Sequence, residues 1–275
     1  MKKILVPIDF SKQSEYAIKL AEVIAKKTAA EVHLLHMIEL PSGVVDMGAG
    51  SNFSIPESMM YLRMVKEKIT HIKNTFFDTT VTVHHSIRLQ NPHEGILKHS
   101  KKIAPDLIVM GSKGASDFDE ILIGSNTEKV VRTSKVPVLV AKNEPKSFQL
   151  KELVFASNFK EESKKSFALF LDFANKFESN IHLLIVNTVG KFETTHVSKE
   201  KITAFLKDFS VDKHSIHTYN DVSIEKGIVN FAKEINADLI ALSTHGRSGL
   251  SHLFNGSISK NLTKSALRPV ITFKI

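Results

Sequence analysis

The sequence predicts an α/β protein made of two tandem, doubly wound domains, each on a mainly parallel sheet. Three observations predict it. The chain has 275 residues, enough for two domains of ordinary size. Its second half repeats its first. Within each half, short β-branched runs alternate with helical patterns, and such alternation specifies parallel strands with helices on both faces.

The repeat is read by alignment. ILVPIDFSKQSEYAIKLA (4–21) lines up with LVFASNFKEESKKSFALFLDFA (153–174), and EVHLLHMIE (31–39) with NIHLLIVNT (180–188), both at an offset of 149. Further on, KKIAPDLIVMGSKG (101–114) matches KEINADLIALSTHG (233–246), and VPVLVAK (136–142) matches RPVITFK (268–274), now at an offset of 132. The second copy is therefore 17 residues shorter (149 less 132), and the surplus in the first falls at 41–60, PSGVVDMGAGSNFSIPESMM. A period this long is a duplicated domain rather than a solenoid unit. The expected domains are 1–143 and 150–275, joined by the polar, proline-containing NEPKSFQ (143–149).

The elements of one copy follow in order. KKILVPI is a strand with a continuous apolar middle. Ser11 is a candidate N-cap, after which Tyr16, Ala17, Leu20, Ala21 and Ile24 recur at helical spacing. EVHLLHM is the second strand and 57–76 the second helix. VTVHHSI is the third strand, with a helix from about Pro92 to Lys101. DLIVMG is the fourth strand, SNTEKVVRTS the fourth helix, and VPVLVA closes the copy. Right-handed crossovers make this a doubly wound sheet. Ligands then bind beyond the carboxyl ends of the strands, where the strand order reverses.

Composition narrows the function. Hydrophobic residues make up 42% and charged residues 24%, as in globular proteins. No apolar run approaches the roughly 18 residues of a membrane span, and the MKKILVPIDFSK start is broken by Pro7 and Asp9, so it does not read as a signal peptide. Cysteine is absent, excluding disulfides and thiolate chemistry. A cytoplasmic protein is expected. The net charge is +8, made of 19 basic and 15 acidic residues in 1–143 and 18 and 14 in the remainder, so +4 on each side. A spread charge gives no basic stripe for nucleic acid.

The fourth strand leads into GSKGASDFDEILIGSN (111–126), and its counterpart into STHGRSGLSHLFNGSI (243–258). Both read as a small residue, two residues, Gly, nine residues, Gly-Ser. Glycine lets backbone approach a ligand, and Gly124-Ser125-Asn126-Thr127 opens a helix, whose N-terminal N–H groups favour a phosphate. From Gly111, Gly114, Gly124 and Ser125 alone, a phosphate site and a plain turn with a helix cap both remain open. Asp117, Asp119 and Glu120 in the gap either hold Mg²⁺ or face solvent. No G-x4-GK-[ST] loop, SGG-x-DS loop, G-x-S-x-G elbow or HExxH helix occurs. His84-His85 and His214-x2-His217 fall on third strands, where adjacent residues face opposite sides, so no metal site is expected.

With the strand–Pro-x-Asp start (Pro7, Ile8, Asp9) and the G-x2-G-x9-G-[ST] signature (Gly111, Gly114, Gly124, Ser125), the sequence resembles the universal stress protein (UspA) family across both halves. The resemblance implies a Rossmann-like, five-stranded sheet of order 3-2-1-4-5 in each half. In the family's ATP-binding branch it implies ATP or a related adenine nucleotide, here with Mg²⁺ as an optional companion. By position, Pro7, Ile8 and Asp9 would line the adenosine side, and Met37 would meet adenine through its backbone. Met110 and Gly111 would lie beside the ribose and α-phosphate, and Gly114, Gly124, Ser125, Asn126 and Thr127 would hold the phosphates. Asp9 has a second reading as a cap for the helix near Ser11. In the second copy Asp9 becomes Asn158, Pro7 becomes Ala156 and Gly111 becomes Ser243, while Gly246, Gly256 and Ser257 remain. Weak or absent binding is expected there, with Ser243 adding a Cβ where backbone should approach ligand.

The fifth strands are expected at sheet edges, where the two halves pair as an intramolecular pseudo-dimer; a further homodimer stays open. The reading is a non-enzymatic, nucleotide-responsive stress factor. The alternatives are a nucleotide-independent interaction or chaperone-like module, and an enzyme of adenylyl chemistry.

Overall fold

The computed structural model describes residues 1–39, 55–112, 124–142, 144, 149–244 and 268–274. The first half runs β1 (Lys3–Ile8), α1 (Lys12–Thr28), β2 (Glu31–Ile38), α2 (Ile55–Phe76), β3 (Val83–Leu89), α3 (Pro92–Ile103), β4 (Leu107–Gly111), α4 (Ser125–Thr133) and β5 (Val138–Ala141). The second runs β6 (Glu152–Ala156), a 3₁₀ turn (Glu161–Ser163), α5 (Lys164–Asn175), β7 (Asn180–Asn187), α6 (Thr195–Leu206), β8 (His214–Asn220), α7 (Ile224–Glu234), β9 (Leu239–Thr244) and β10 (Val270–Lys274).

The strands form one sheet in the order β3-β2-β1-β4-β5-β10-β9-β6-β7-β8. Each half thus has the 3-2-1-4-5 order, parallel within itself. The halves meet where β5 pairs antiparallel with β10, Val140 opposite Val270 and Leu139 opposite Ile271. The fifth strands are therefore interior strands of a joint sheet rather than edges. β3 and β8 are the outer ones.

Alternation along the strands builds two core layers. Ile4, Val6 and Ile8 point to the face covered by α1 and α2, where Ala17, Leu20, Val65 and Ile69 are buried. Leu5, Leu35 and Ile108 point to the other face, under Ile96 of α3 and Val130 of α4. Both faces are covered, which explains why β1 and β4 read as continuous apolar runs. The second half fills its first layer with aromatics. Phe155, Phe167 and Phe170 are fully buried, with the Phe155 and Phe167 rings edge-on at 5.0 Å. Burying each contributes about 1.5–3 kcal/mol.

One polar feature is duplicated and fixes the strand starts. Asp106 Oδ2 accepts hydrogen bonds from Lys2 N at 2.6 Å and Lys3 N at 2.9 Å. Asp238, its counterpart at offset 132, accepts from Lys151 N at 2.8 Å and Glu152 N at 3.0 Å. Each carboxylate stands just before the fourth strand of its half and ties down the amino end of the first.

Candidate functional site

The carboxyl ends of β1 and β4 adjoin at the reversal point of the first half, and a cavity of about 120 Å³ opens there. Its wall includes Pro7, Ile8 and Asp9 from β1 and its turn, Met37 from β2, Met110 and Gly111 from β4, and Gly124, Ser125, Asn126 and Thr127 from the start of α4. The structure thus brings together ten of the eleven residues expected at the site. The eleventh, Gly114, lies outside the described residues, as do Asp117, Asp119 and Glu120 and, in the second half, Gly246, Gly256 and Ser257. Leu35, Ser14, Pro92 and Ile96 complete the wall.

The turn after β1 is under local strain. Phe10 sits in the left-handed region at φ 65°, and its counterpart Phe159 repeats this at φ 50°. Asp9 holds the turn. Its Oδ1 accepts from Ser11 N at 3.1 Å and Ser11 Oγ at 2.6 Å, and Ser11 Oγ in turn accepts from Ser14 N to cap α1. Asp9 therefore positions the capping residue rather than acting as the cap. The Phe10 ring packs on His36, with centroids 4.5 Å apart. His36 Nδ1 lies 2.9 Å from the Ile8 carbonyl oxygen, and burial lowers its pKa even though that bond and Asp9 pull upward.

The start of α4 is built differently. Gly124 is its N-cap residue and, as glycine, brings no side chain to cap it. The Gly124 N–H is spent on Ser112 O at 2.7 Å. The N–H groups that open a helix have no partner within it, and residues 125–127, which carry them here, line the cavity. Thr127 departs from expectation. Its hydroxyl is buried and donates to Gly111 O at 2.9 Å, so it braces α4 against β4 and has no proton to offer a phosphate. Ser125 is exposed at the rim.

Gly111 has a packing reason to be glycine in addition to the one the sequence suggests. A Cβ built on it would stand 2.6 Å from the carbonyl carbon and 2.7 Å from the carbonyl oxygen of Gln13. The close approach that the structure shows is to α1, while Gly111 also lines the cavity. In the second half Ser243 Oγ lies 2.6 Å from Ser166 Oγ, which itself donates to Ser163 O at 2.9 Å. Ser243 is therefore the donor, and its side chain turns to α5. There the facing turn is 3₁₀ rather than α. Asn158 keeps part of the Asp9 role, accepting from Lys160 N at 3.2 Å.

Gly95 stands behind the cavity wall, against Met37, and the sequence reading missed it. A Cβ on it would overlap the Met37 side chain at 1.9 Å, so glycine in α3 gives Met37 its place. Gly227 repeats the relation with Val186, where a Cβ would fall at 2.4 Å. The signal was present in the sequence: HEGIL (93–97) and EKGIV (225–229) align at offset 132.

The profile of the universal stress protein family matches this chain twice, over residues 1–142 and 150–274. The chain belongs to the universal stress protein family. A universal stress protein of Methanocaldococcus jannaschii is 38% identical over 157 residues, covering 51% of this chain and 94% of that one. Another, of Synechocystis, is 21% identical over 299 residues and covers both chains completely. The crystal structure of a universal stress protein from Archaeoglobus fulgidus superposes with a TM-score of 0.72 at 22% identity, covering 99% of this chain and 96% of that one. That likeness spans both halves and supports the tandem fold.

Proposed function

We propose that this tandem universal stress protein binds an adenine nucleotide, ATP with or without Mg²⁺, in the cavity of its first half. The observation that carries the reading is the uncapped start of α4 opening onto the same cavity as Asp9 and Met37. Helix N-terminal amides and the helix dipole favour phosphate. Met37 and Pro7 offer an apolar flank for a base, and Asp9 a carboxylate for sugar hydroxyls or a hydrated cation. The family resemblance supplies the adenine identity. The protein then works as a nucleotide-responsive stress factor in the cytoplasm and not as a metabolic enzyme. Among the described residues no helix is long and apolar enough to cross a membrane.

The second half is read as the weaker site. Its weakness rests on Asn158, which removes a charge, and on Ala156 in place of Pro7. Ser243 does not carry it, because its side chain is engaged by Ser166.

The test is thermal stabilisation by ATP. Ligand at about 100 times Kd adds about 2.7 kcal/mol. Ser125→Glu places a negative charge at the exposed rim, where it favours the helix but repels phosphate. The expected result is a shift in the wild type that shrinks in this variant and in Gly114→Val. No wild-type shift, or equal shifts in all three proteins, refutes the proposal.

A second reading has its own observation. Met59, Met60, Tyr61, Leu62 and Met64 of α2 are exposed, from 36% for Leu62 to 75% for Met60. Exposed methionines adapt to varied apolar partners. A nucleotide-independent interaction module, or a further homodimer, would use this exposed first part of α2.

A further inference from the structure

Away from the cavity, three donors converge at the amino end of the first sheet. Glu31 and His33 alternate on β2 and so share a face. His84 on β3 is the register partner of His33. The two imidazoles lie stacked, with centroids 4.8 Å apart and planes at 27°. Both turn Nε2 toward one carboxylate oxygen: Glu31 Oε2 is 3.2 Å from His33 Nε2 and 3.5 Å from His84 Nε2. One ligand atom from each residue lies within 4.8 Å of the other two. With metal–ligand distances of about 2.0–2.2 Å, donors around a tetrahedral zinc stand about 3.3–3.5 Å apart. Two of the three separations already match. The third closes when His84, whose side chain is 53% exposed, turns its ring out of the stack so that both imidazole lone pairs point at one ion.

We propose that Glu31, His33 and His84 form a site for a divalent transition-metal ion of the zinc class, with water completing its shell. Two imidazoles and one carboxylate suit such an ion and not Mg²⁺ or Ca²⁺, which take oxygen ligands. Without a cation, both Nε2 atoms must carry protons to face one carboxylate oxygen. A single cation takes the place of both protons. The paired backbones of β2 and β3 hold the donors in place beforehand. The ion pins β3, the outermost strand, to β2.

The second half provides an internal comparison. Asn180 stands where Glu31 does, and Ser215 pairs with His182 where His84 pairs with His33. His182 has both nitrogens engaged, Nε2 with Glu152 Oε2 at 2.7 Å and Nδ1 with Ser215 Oγ at 2.9 Å and His217 Nε2 at 3.2 Å. Hydrogen bonds there meet the need that a metal meets in the first half. The proposed site is also separate from the nucleotide cavity. His33 precedes Met37 by four residues on β2, about 13 Å at 3.3 Å per residue.

The test is calorimetric titration of the full chain with Zn²⁺, alongside the visible spectrum with Co²⁺. One equivalent is expected to bind, with a Co²⁺ spectrum of nitrogen and oxygen ligation. Affinity should fall at least tenfold in His84→Ala and in Glu31→Gln. It should stay unchanged in His85→Ala, an exposed residue on the opposite face of β3. Circular dichroism of each variant separates loss of ligands from loss of fold. Absence of stoichiometric binding, or equal affinity in wild type, His84→Ala and Glu31→Gln, overturns the proposal.

Discussion

Gly111 lies so close to the first turn of α1 that a Cβ on it would stand 2.6 Å from the Gln13 carbonyl carbon. The neighbour is backbone and cannot rotate away. Gly111→Ala is therefore expected to destabilise the first half by about 1–3 kcal/mol, the usual cost of overpacking. Urea unfolding measures it, and an unchanged midpoint would contradict the packing argument. The reverse exchange, Ser243→Gly, loses only the hydrogen bond to Ser166, worth about 1 kcal/mol.

Asp9→Asn separates two roles of one side chain. An asparagine oxygen still accepts from Ser11, as Asn158 does from Lys160. Unliganded stability is expected to stay within about 0.5 kcal/mol of wild type, as for substitutions that keep their contacts. Nucleotide affinity is expected to fall about tenfold, or 1.4 kcal/mol, the scale of a hydrogen bond to a charged group. Calorimetry with ATP reads the second, thermal unfolding the first. Undiminished affinity would remove Asp9 from the binding site.

The Asp106 clamp makes a prediction with a definite pH window. Burial pushes its carboxyl pKa up, but the Lys2 and Lys3 amides outweigh that and leave it below 3.8. A depressed carboxyl pKa stabilises the fold above the unfolded value and loses that contribution as pH falls through the folded one. Asp106→Ala is expected to cost about 1 kcal/mol at pH 7, since the exposed setting screens the interaction. The difference between variant and wild type should narrow below pH 3.8. Denaturant midpoints at pH 7 and pH 3 check both statements.

His36 acts in the same direction, in a higher pH window. Burial lowers its pKa below 6.5, although the Ile8 carbonyl and Asp9 favour the charged ring and Lys68 opposes it. Burial also lowers His99 and His217. A lowered histidine contributes fully above pH 6.5, and the contribution declines as pH falls and the unfolded chain protonates first. Thermal midpoints should drop between pH 7.5 and pH 5.5. The His36 ring should titrate below 6.5 by NMR, and a midpoint above 6.5 would contradict its burial as the cause.

The repeat and the strand–helix alternation made the fold legible, because apolar runs such as ILVPI and LIVMG carry their burial in their letters. Most of the cavity wall was legible for a related reason, since Asp9, Met37 and Gly111 stand at the carboxyl ends of β1, β2 and β4, which topology makes neighbours in the sheet. What was hidden depends on contacts across the chain. Nothing near Gly111 in sequence announces Gln13, 98 positions earlier (111 less 13), and Thr127 reads as a ligand donor until Gly111 O is seen to take its proton. The histidine cluster was hidden in the same way. His84 was weighed beside His85, which faces away, whereas its neighbour in space is His33.

The seam of β5 and β10 has a consequence for how the protein responds to scarcity. Two identical subunits meeting at such a seam would separate on dilution, because their association depends on concentration. Here Val140 and Val270 belong to one polypeptide, and the second strand always arrives at the effective concentration that the chain sets. A cell holding only a few copies still holds every one fully paired. Each copy also carries one Asp9 half and one Asn158 half, so the ratio of unlike halves stays at one to one whatever the expression level.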